Sequence, residues 1–202
     1  MRVIAIDGPV GSGKSTVAKA VAGRLDLPYM ESGAMYRVVA LAAVRRGIDP
    51  SEPDALTALA TEVDMQIGDR VTLDGEDVTD ELRAPEVGRA VSAVAAVAGV
   101  RTELVRRQRE WASERGGAVM EGRDIGSVVF PDAEVKVFLT ASAGERARRR
   151  ELDETADDLA RRDRLDSTRA VSPLIVAQDA VVIDTTGRSV DDVVDQIVAL
   201  LS

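Results

Sequence analysis

The chain has 202 residues, of which 45% are apolar, and its formal net charge is -9 at pH 7. This length allows one large core, or a core with one small lobe, and no apolar run approaches the roughly 18 residues that a membrane helix requires. Cysteine, histidine and asparagine are absent, which excludes thiol chemistry, a histidine general base and histidine-ligated metal. A reaction on this chain must therefore depend on electrostatics more than on proton transfer.

The charge distribution restricts the partners. The segment 48–87 holds twelve acidic residues against two arginines, and the negative net charge argues against a chain-wide nucleic-acid-binding surface. Arginine supplies nearly all the positive charge and suits bidentate phosphate recognition, although genomic base bias also explains the bulk composition. We expect no signal peptide, because Met1 leads directly into a predicted strand, and hence a cytoplasmic protein. We also expect a monomer that binds no nucleic acid and no membrane.

The first predicted elements are a strand at 3–6 and a helix at 16–25, joined by a glycine-rich loop. The loop, Gly8-Pro9-Val10-Gly11-Ser12-Gly13-Lys14-Ser15, has the spacing of a phosphate-binding loop, in which backbone N–H groups and the helix N-terminus surround an anion. Lys14 is predicted to reach the β- and γ-phosphates, and the Ser15 hydroxyl is predicted to ligate Mg²⁺. The alternative is a glycine-rich turn without a ligand, which the flanking strand and helix disfavour.

A second strand is predicted at 27–30 and a helix at 34–46, with Glu31-Ser32-Gly33 between them. Ligands bind at such strand ends in open parallel sheets. Tyr36 and Arg37 lie in the first turn of the helix, and Arg37 could bind an anion beside the loop. Its alternative role is that of a solvated helix cation.

A change of composition near Gly47 predicts an inserted acidic lobe at 48–87. It should hold a helix at 55–61 and a small antiparallel sheet of strands 63–67 and 71–73, with Val78 starting a third strand. The rest, 1–47 and 88–202, should form the core, with a lid at about 151–168.

Two helices, 90–98 and 100–115, are predicted after the lobe, with a break near Gly99. Ser92 and Arg101 lie where such helices could face a cleft. The other arginines of the second helix are expected on a solvated face.

A third core strand, 118–120, leads into Glu121-Gly122-Arg123-Asp124 at the same sheet edge as the glycine loop. Two acids and an arginine after a buried strand indicate ligand chemistry, because loops that end core strands often carry sites. The alternative is an ordinary surface turn.

The remaining core strands are predicted at 135–139 and 181–183. The first of them is followed by a helix that contains Arg146, Arg148, Arg149 and Arg150. A final helix is capped by Ser189, with Asp192 as the capping-box acid. Residues 151–160 are polar and could form a mobile flap. Beyond them, Arg162, Asp166 and Arg169 share one helical face, which suits a phosphorylated ribose. Intrahelical ion pairing explains the same spacing.

Four motifs in this order closely resemble the bacterial cytidylate kinases across nearly the whole chain. They are the glycine loop, Glu31 to Arg37, Glu121 to Gly126 with Val129 to Asp132, and Arg162 to Ser167 with Arg169. The resemblance implies an α/β fold: a P-loop kinase core with a five-stranded parallel sheet flanked by helices, a small substrate-binding insert with its own three-stranded sheet, and a lid. It also implies transfer of the γ-phosphoryl of ATP to CMP or dCMP, giving CDP or dCDP in pyrimidine nucleotide metabolism, with Mg²⁺ as cofactor.

The resemblance also implies roles for single residues. Ser32, Arg101 and Asp124 would read the cytosine. The CMP phosphate would be held by Arg37, Arg123 and Arg169, and the sugar by Asp166 helped by Arg162. Tyr36 and Ser92 are counted with this acceptor site, and Gly8 to Thr16 would hold ATP. Two features depart from the family pattern: Glu31 stands where Asp is usual, and the segment between Arg150 and Arg161 is shorter than the usual lid.

The chemistry implied by the resemblance needs no histidine, because a nucleoside monophosphate already presents an ionised oxygen nucleophile at pH 7. Catalysis then consists of alignment and charge neutralisation, for which Lys14, Arg123, Arg162 and Arg169 are the candidates. The nearest alternatives are kinases for thymidylate, adenylate or shikimate. A GTP-binding switch is a further alternative, although the Asn-Lys-x-Asp guanine signature cannot occur in a chain without asparagine. A purely structural protein would leave the glycine loop unexplained.

Overall fold

The computed structural model describes residues 1–150, 156–169 and 171–201. These residues divide into two compact units, of which the first comprises Met1–Met30 and the described residues from Trp111 onward. The second comprises Glu31–Glu110 and contains the whole of the predicted insert 48–87.

The described residues form eight strands and eight α-helices. The strands are β1 (Arg2–Asp7), β2 (Tyr29–Glu31), β3 (Met65–Ile67), β4 (Val71–Leu73), β5 (Glu76–Asp77), β6 (Gly117–Gly122), β7 (Val135–Thr140) and β8 (Val181–Asp184). The helices are α1 (Lys14–Leu25), α2 (Ser32–Arg46), α3 (Pro53–Glu62), α4 (Pro85–Val94), α5 (Ala98–Glu114), α6 (Ala143–Arg150), α7 (Ala156–Thr168) and α8 (Val190–Ala199).

The first unit is built on the predicted five-stranded parallel sheet, in the order β2, β6, β1, β7, β8. Apolar side chains of β1, β6, β7 and β8 pack with those of α1 and α8 into one buried core. The register pairs Asp7 with Gly122 on β6 and with Phe138 on β7. The carboxyl ends of the central strands therefore meet at one edge of the sheet, where the glycine loop also begins.

The final helix confirms a prediction made from its capping box. The Ser189 hydroxyl accepts a hydrogen bond from the Asp192 backbone N–H at 3.1 Å, and it donates one to the Asp192 carboxylate at 2.6 Å. These bonds satisfy an amide that a helix N-terminus otherwise leaves without a partner. Val193, Val194 and Ile197 then face the core.

The second unit carries the small antiparallel sheet, in the order β3, β4, β5. Proline at the first position of α3 and of α4 supplies the backbone angle that a helix start requires. Helix α2 ends at Gly47, which has a φ of 64°. In its last turn, Arg45 and Arg46 pair with acids of the insert. These ion pairs are exposed, so each contributes little to the stability of the lobe.

Two predictions about this unit were wrong in detail. The third strand is Glu76–Asp77, so Val78 follows it instead of starting it. The break between the long helices lies at 95–97, and Gly99 belongs to the first turn of α5. A β-carbon at Gly99 would lie 2.2 Å from the Thr57 hydroxyl oxygen on α3. Glycine is therefore required there for close helix packing, and it does not end a helix.

The predicted flap falls partly outside the described residues, because 151–155 are not among them. Within the described part of the chain, no helix has the length and apolar character needed to cross a bilayer.

Candidate active site

The glycine loop follows β1 directly and passes close to the neighbouring strand β7. Gly8 has a φ of 148°, and a β-carbon there would lie 2.1 Å from the Leu139 carbonyl oxygen. Lys14 begins α1 and is buried, and its ammonium donates to the Pro9 carbonyl at 2.7 Å. The loop thus curls around its own lysine, which is the arrangement that a phosphate-binding loop needs. Ser15 and Thr16 follow and are exposed.

Side chains from two other elements hold the outside of this loop. Arg149 on α6 donates to the Thr185 carbonyl at 3.0 Å, and the buried Thr185 hydroxyl donates to the Ser12 carbonyl at 3.0 Å. Arg146, also on α6, donates to the Val10 carbonyl at 3.1 Å and pairs with Asp163 on α7. Side chains from outside the loop therefore bond the carbonyls of Val10 and Ser12 and hold the loop in place. The sequence marked α6 only as rich in arginine.

Lys14 has an unusual electrostatic environment. Burial, followed by the nearby Arg123 cation, lowers the pKa of Lys14 to about 7, whereas Glu121, Asp7 and Asp166 act in the opposite direction. An anion beside the ammonium would raise this pKa again, because an opposite charge favours the charged form. Since Arg123 and Asp166 influence Lys14, the glycine loop and these two residues share one site in the first unit.

Arg123 and Arg169 converge on a single carboxylate. Arg123 Nε donates to Asp166 Oδ2 at 2.8 Å, and Arg169 Nη2 lies 3.6 Å from Asp166 Oδ1. Arg169 Nε also donates to the Asp166 backbone carbonyl at 3.3 Å. These side chains are largely shielded from solvent. Arg162 is four residues before Asp166 on α7, and its side chain lies outside the described part of the chain.

Two further buried acids stand where β6 ends. Glu121 is 3% exposed and accepts a hydrogen bond from the Tyr29 hydroxyl at 2.8 Å. Asp124 is 4% exposed, and its backbone carbonyl accepts from the amides of Val128 and Val129. The bond from Val129 joins residues five positions apart, which is the spacing of a π-helix, so the chain forms one π-turn, Ile125–Val129. Nothing in the sequence predicted this turn, because no residue pattern distinguishes it from an ordinary loop.

Asp7 is a site residue that the sequence analysis missed. It is the last residue of β1 and is 5% exposed. Its Oδ1 accepts from the Ile125 amide at 2.8 Å and its Oδ2 from the Gly126 amide at 2.7 Å. Burial raises the pKa of Asp7 to about 6, against the effect of these two hydrogen bonds. The only sequence feature that pointed to Asp7 was its position directly before the glycine loop. Its hydrogen-bond partners are more than a hundred residues away along the chain, so the sequence did not reveal them.

In the second unit, two predicted acceptor residues contact each other. Arg101 on α5 is 2% exposed, and its guanidinium lies 5.2 Å from the centre of the Tyr36 ring on α2. It also donates to the Ala95 carbonyl at 3.1 Å, in the turn before α5. A buried arginine stacked on an aromatic ring keeps its charge and is fixed in orientation.

The other predicted residues of this unit lie on α2 and α4. Ser32 is buried at the start of α2, and Ser92 is half-buried on α4. Arg37 donates to the Leu82 carbonyl at 2.9 Å, in the short 3₁₀ turn Glu81–Arg83 of the insert. Arg37 is therefore held by the insert and is not a freely solvated cation.

Among the described residues, no group of three or more acidic side chains could hold a metal ion. Mg²⁺ that binds with a nucleotide needs only one or two protein oxygens, because phosphate oxygens and water supply its other ligands. The exposed Ser15 hydroxyl beside the loop can be such a ligand.

The sequence comparisons decide the family. The family model described as cytidylate kinase matches residues 4–202. The chain belongs to the cytidylate kinase family. Family membership makes it an ATP-dependent phosphotransferase. A cytidylate kinase of Mycobacterium avium is 51% identical, and the match covers 96% of this chain and 92% of that protein. A cytidylate kinase of Desulforamulus reducens is 52% identical, and the match covers 98% of this chain and 95% of that protein. A bifunctional pantoate ligase/cytidylate kinase of Synechococcus is 52% identical over 98% of the chain, which spans only 40% of that protein.

Solved structures with low sequence identity share the fold. A shikimate kinase from Acinetobacter baumannii has a TM-score of 0.52 at 15% identity, covering 100% of this chain and 93% of that one. A gluconokinase from Sinorhizobium meliloti has a TM-score of 0.52 at 18% identity, covering 99% and 91%. These likenesses confirm the predicted α/β kinase fold and carry no information on the acceptor.

Proposed function

We propose that this member of the family transfers the γ-phosphoryl of ATP to CMP or dCMP by aligning two phosphate groups between fixed cations. The observation that carries the proposal is that Arg123, paired with Asp166 at 2.8 Å, lies near enough to the buried Lys14 of the glycine loop to affect its pKa. A lysine in a glycine loop is suited to the donor phosphates, and paired arginines are suited to the acceptor phosphate. Both sets of groups belong to the first unit.

The donor is ATP, held by the loop from Gly8 to Thr16. The buried Lys14 ammonium neutralises charge on the β- and γ-phosphates, and Ser15 holds Mg²⁺. When bound, the metal ion supplies neutralisation of the charge that develops on the phosphate oxygens. The bonds from Arg146 and Thr185 to loop carbonyls support this role, because they fix the loop before a nucleotide binds.

For the acceptor, the proposal takes the residue roles that the family resemblance implies. Arg123 and Arg169 bind the CMP phosphate with Arg37, and Asp166 binds the sugar with the help of Arg162. Ser32, Arg101 and Asp124 read the cytosine, with Tyr36 and Ser92 beside them. The fixed guanidinium of Arg101 over Tyr36 supports its assignment to recognition. In this proposal 48–87 is an acceptor-binding lobe on a core of 1–47 and 88–202.

No general base is needed for the reaction. A nucleoside monophosphate is ionised at pH 7, so its phosphate oxygen can attack directly, and the arginines neutralise the transferring group. Closure of a lid at about 151–168 excludes water, which would otherwise accept the phosphoryl group. The proposal has the chain act as a monomer in the cytoplasm, where ATP and nucleoside monophosphates occur.

The residue assignment is tested by the kinetics of Arg123→Ala and Arg169→Ala. Each should lower kcat/KM for CMP by at least tenfold, because each removes a cation from the acceptor phosphate. Arg24→Ala is the control, since Arg24 is a half-exposed arginine of α1 that pairs only weakly with Asp195 at the surface. If both test variants stay within threefold of the parent, which is about 0.7 kcal/mol, the assignment is wrong.

Acceptor choice is tested with a panel of CMP, dCMP, UMP, dTMP, AMP and shikimate in one coupled assay for ADP. Turnover should require CMP or dCMP. Equal turnover with dTMP, AMP or shikimate would favour the kinases of other acceptors. Slow nucleotide hydrolysis that no acceptor stimulates would favour a nucleotide-dependent switch.

A further inference from the structure

Asp7 joins two parts of the proposed site that are far apart in sequence. It directly precedes Gly8, where the glycine loop begins, and its carboxylate bonds the amides of Ile125 and Gly126. Those amides directly follow Asp124, which comes next after Arg123. One side chain therefore spans from the donor loop to the loop that carries acceptor residues.

The geometry uses both oxygens of the carboxylate. The first amides of a helical turn have no carbonyl partner within the turn. In the π-turn Ile125–Val129 the first two amides point instead to Asp7 Oδ1 and Oδ2, at 2.8 and 2.7 Å. Backbone pairing of Asp7 with Gly122 on β6 fixes the position from which the side chain reaches. Such charge-assisted bonds are about twice as strong as neutral ones.

The electrostatic surroundings of this carboxylate disfavour its ionised form. Asp7 is almost fully buried, with Asp124 repelling it and Lys14 attracting it. Burial raises its pKa to about 6, so ionised Asp7 is disfavoured by the fold and yet prevails at neutral pH. Asparagine has nearly the same size and is easier to bury, but its amide group would place an N–H against one of the two backbone N–H groups.

We propose that Asp7 is a positioning residue, whose two hydrogen bonds to the start of the π-turn fix Arg123 and Asp124 relative to the glycine loop. The inference rests on the proposed function, because it assumes that these two residues meet the acceptor. Loss of the contact should misalign acceptor and donor while leaving the donor loop itself intact. Misplacement by about 1 Å is enough to reduce turnover on the order of a hundredfold.

The test compares Asp7→Asn with the parent enzyme in steady-state kinetics for ATP and CMP, together with thermal unfolding. We expect kcat to fall at least tenfold and the KM for CMP to rise. The KM for ATP should stay within threefold. The melting temperature should fall only modestly, because one buried hydrogen bond is lost, and the variant should remain folded at the assay temperature. Asp49→Asn is the matched control, because Asp49 is an exposed aspartate whose carboxylate also accepts a backbone amide, that of Ser51 at 2.8 Å. It should leave all three constants unchanged.

The inference is overturned if kcat and both KM values of Asp7→Asn stay within threefold of those of the parent. It is also overturned if the loss of activity equals the fraction of Asp7→Asn that is unfolded at the assay temperature. If Asp7→Asn does not fold, amide hydrogen exchange of the parent tests the contact between Asp7 and the π-turn. Protection of Ile125 and Gly126 comparable to that of β1 supports the contact, and exchange at solvent rates refutes it. Absence of CMP-dependent turnover in the parent would instead refute the proposed function, and the exchange experiment would still test the contact.

Discussion

Replacing Gly8 by alanine should displace the phosphate-binding loop from its close contact with strand β7. The β-carbon would lie 2.1 Å from the Leu139 carbonyl oxygen and 3.1 Å from the Ser12 hydroxyl. Leu139 O is a backbone atom of a central strand and cannot turn aside, so the loop itself must move by about 1 Å to reach ordinary contact distances. The φ of 148° adds strain for any residue with a β-carbon.

The magnitudes follow from these two effects. Overpacking of this kind costs about 1 to 3 kcal/mol, and a residue held in a sparsely populated backbone region costs about 1 to 3 kcal/mol more. We therefore expect Gly8→Ala to lower the free energy of unfolding by about 2 to 6 kcal/mol. Because the displaced loop no longer aligns the donor, kcat should fall by about a hundredfold or more.

The assay pairs denaturant unfolding with initial rates at saturating ATP and CMP. Gly23→Ala is the control: Gly23 is exposed in the interior of α1, and a β-carbon there would meet no atom within 4 Å. This substitution should stabilise the protein by about 0.5 to 1 kcal/mol through helix propensity and leave the rates unchanged. If Gly8→Ala unfolds and turns over like the parent, the close approach of the loop to β7 is not a requirement of the site.

Two further predictions concern stability. Burial raises the pKa of Asp7 from 3.8 to about 6, so this carboxyl contributes stability below pH 4 that is lost as the pH rises through 6. Relative to Asp7→Asn, the free energy of unfolding of the parent in urea should increase by about 1.4 kcal/mol when the pH is lowered from 8 to 5. A difference between the two proteins that does not change with pH would contradict the raised pKa. Ser189→Ala removes the cap of α8 and should lower the free energy of unfolding by about 1 kcal/mol without changing kcat, whereas a neutral effect would mean that the bond to the Asp192 amide contributes nothing.

The sequence predicted best those features that depend on neighbouring residues. Strand β1, the glycine loop and α1 follow each other directly, and their periodicities change at the positions where the elements change. The cap at Ser189 is similarly local. The second strand, predicted at 27–30, is Tyr29–Glu31, and α2 starts at Ser32, two residues before the predicted helix. Element boundaries shift in this way because end residues are fixed by tertiary contacts more than by propensity.

Features that depend on distant residues could not be predicted. Gly99 carries the same local signal as a helix breaker, and only the position of Thr57 on a neighbouring helix shows that it is needed for packing. The first amide of the π-turn at Ile125–Val129 is bonded by Asp7, which is 118 residues away from Ile125. For the candidate site, the family motifs supplied the residue types, while the roles of the acceptor residues remain predictions that the kinetic experiments test.

The pairing of cations with acids in the first unit has a consequence for binding. Asp166 accepts from Arg123 and lies beside Arg169, and Glu121, Asp7 and Asp166 all act on Lys14. In the proposed mechanism these acids reduce the attraction for phosphate, and Asp166 holds the guanidinium of Arg123 in place before any substrate arrives. Ordering a flexible side chain costs about 0.5 to 1.5 kcal/mol when it occurs on binding. Because the Arg123 side chain is already ordered in the folded protein, the proposed mechanism gives the transferring phosphoryl a smaller positive charge, but one that is fixed in position. Fixed charges stabilise a transition state more effectively than mobile ones, because they need no reorganisation during the reaction.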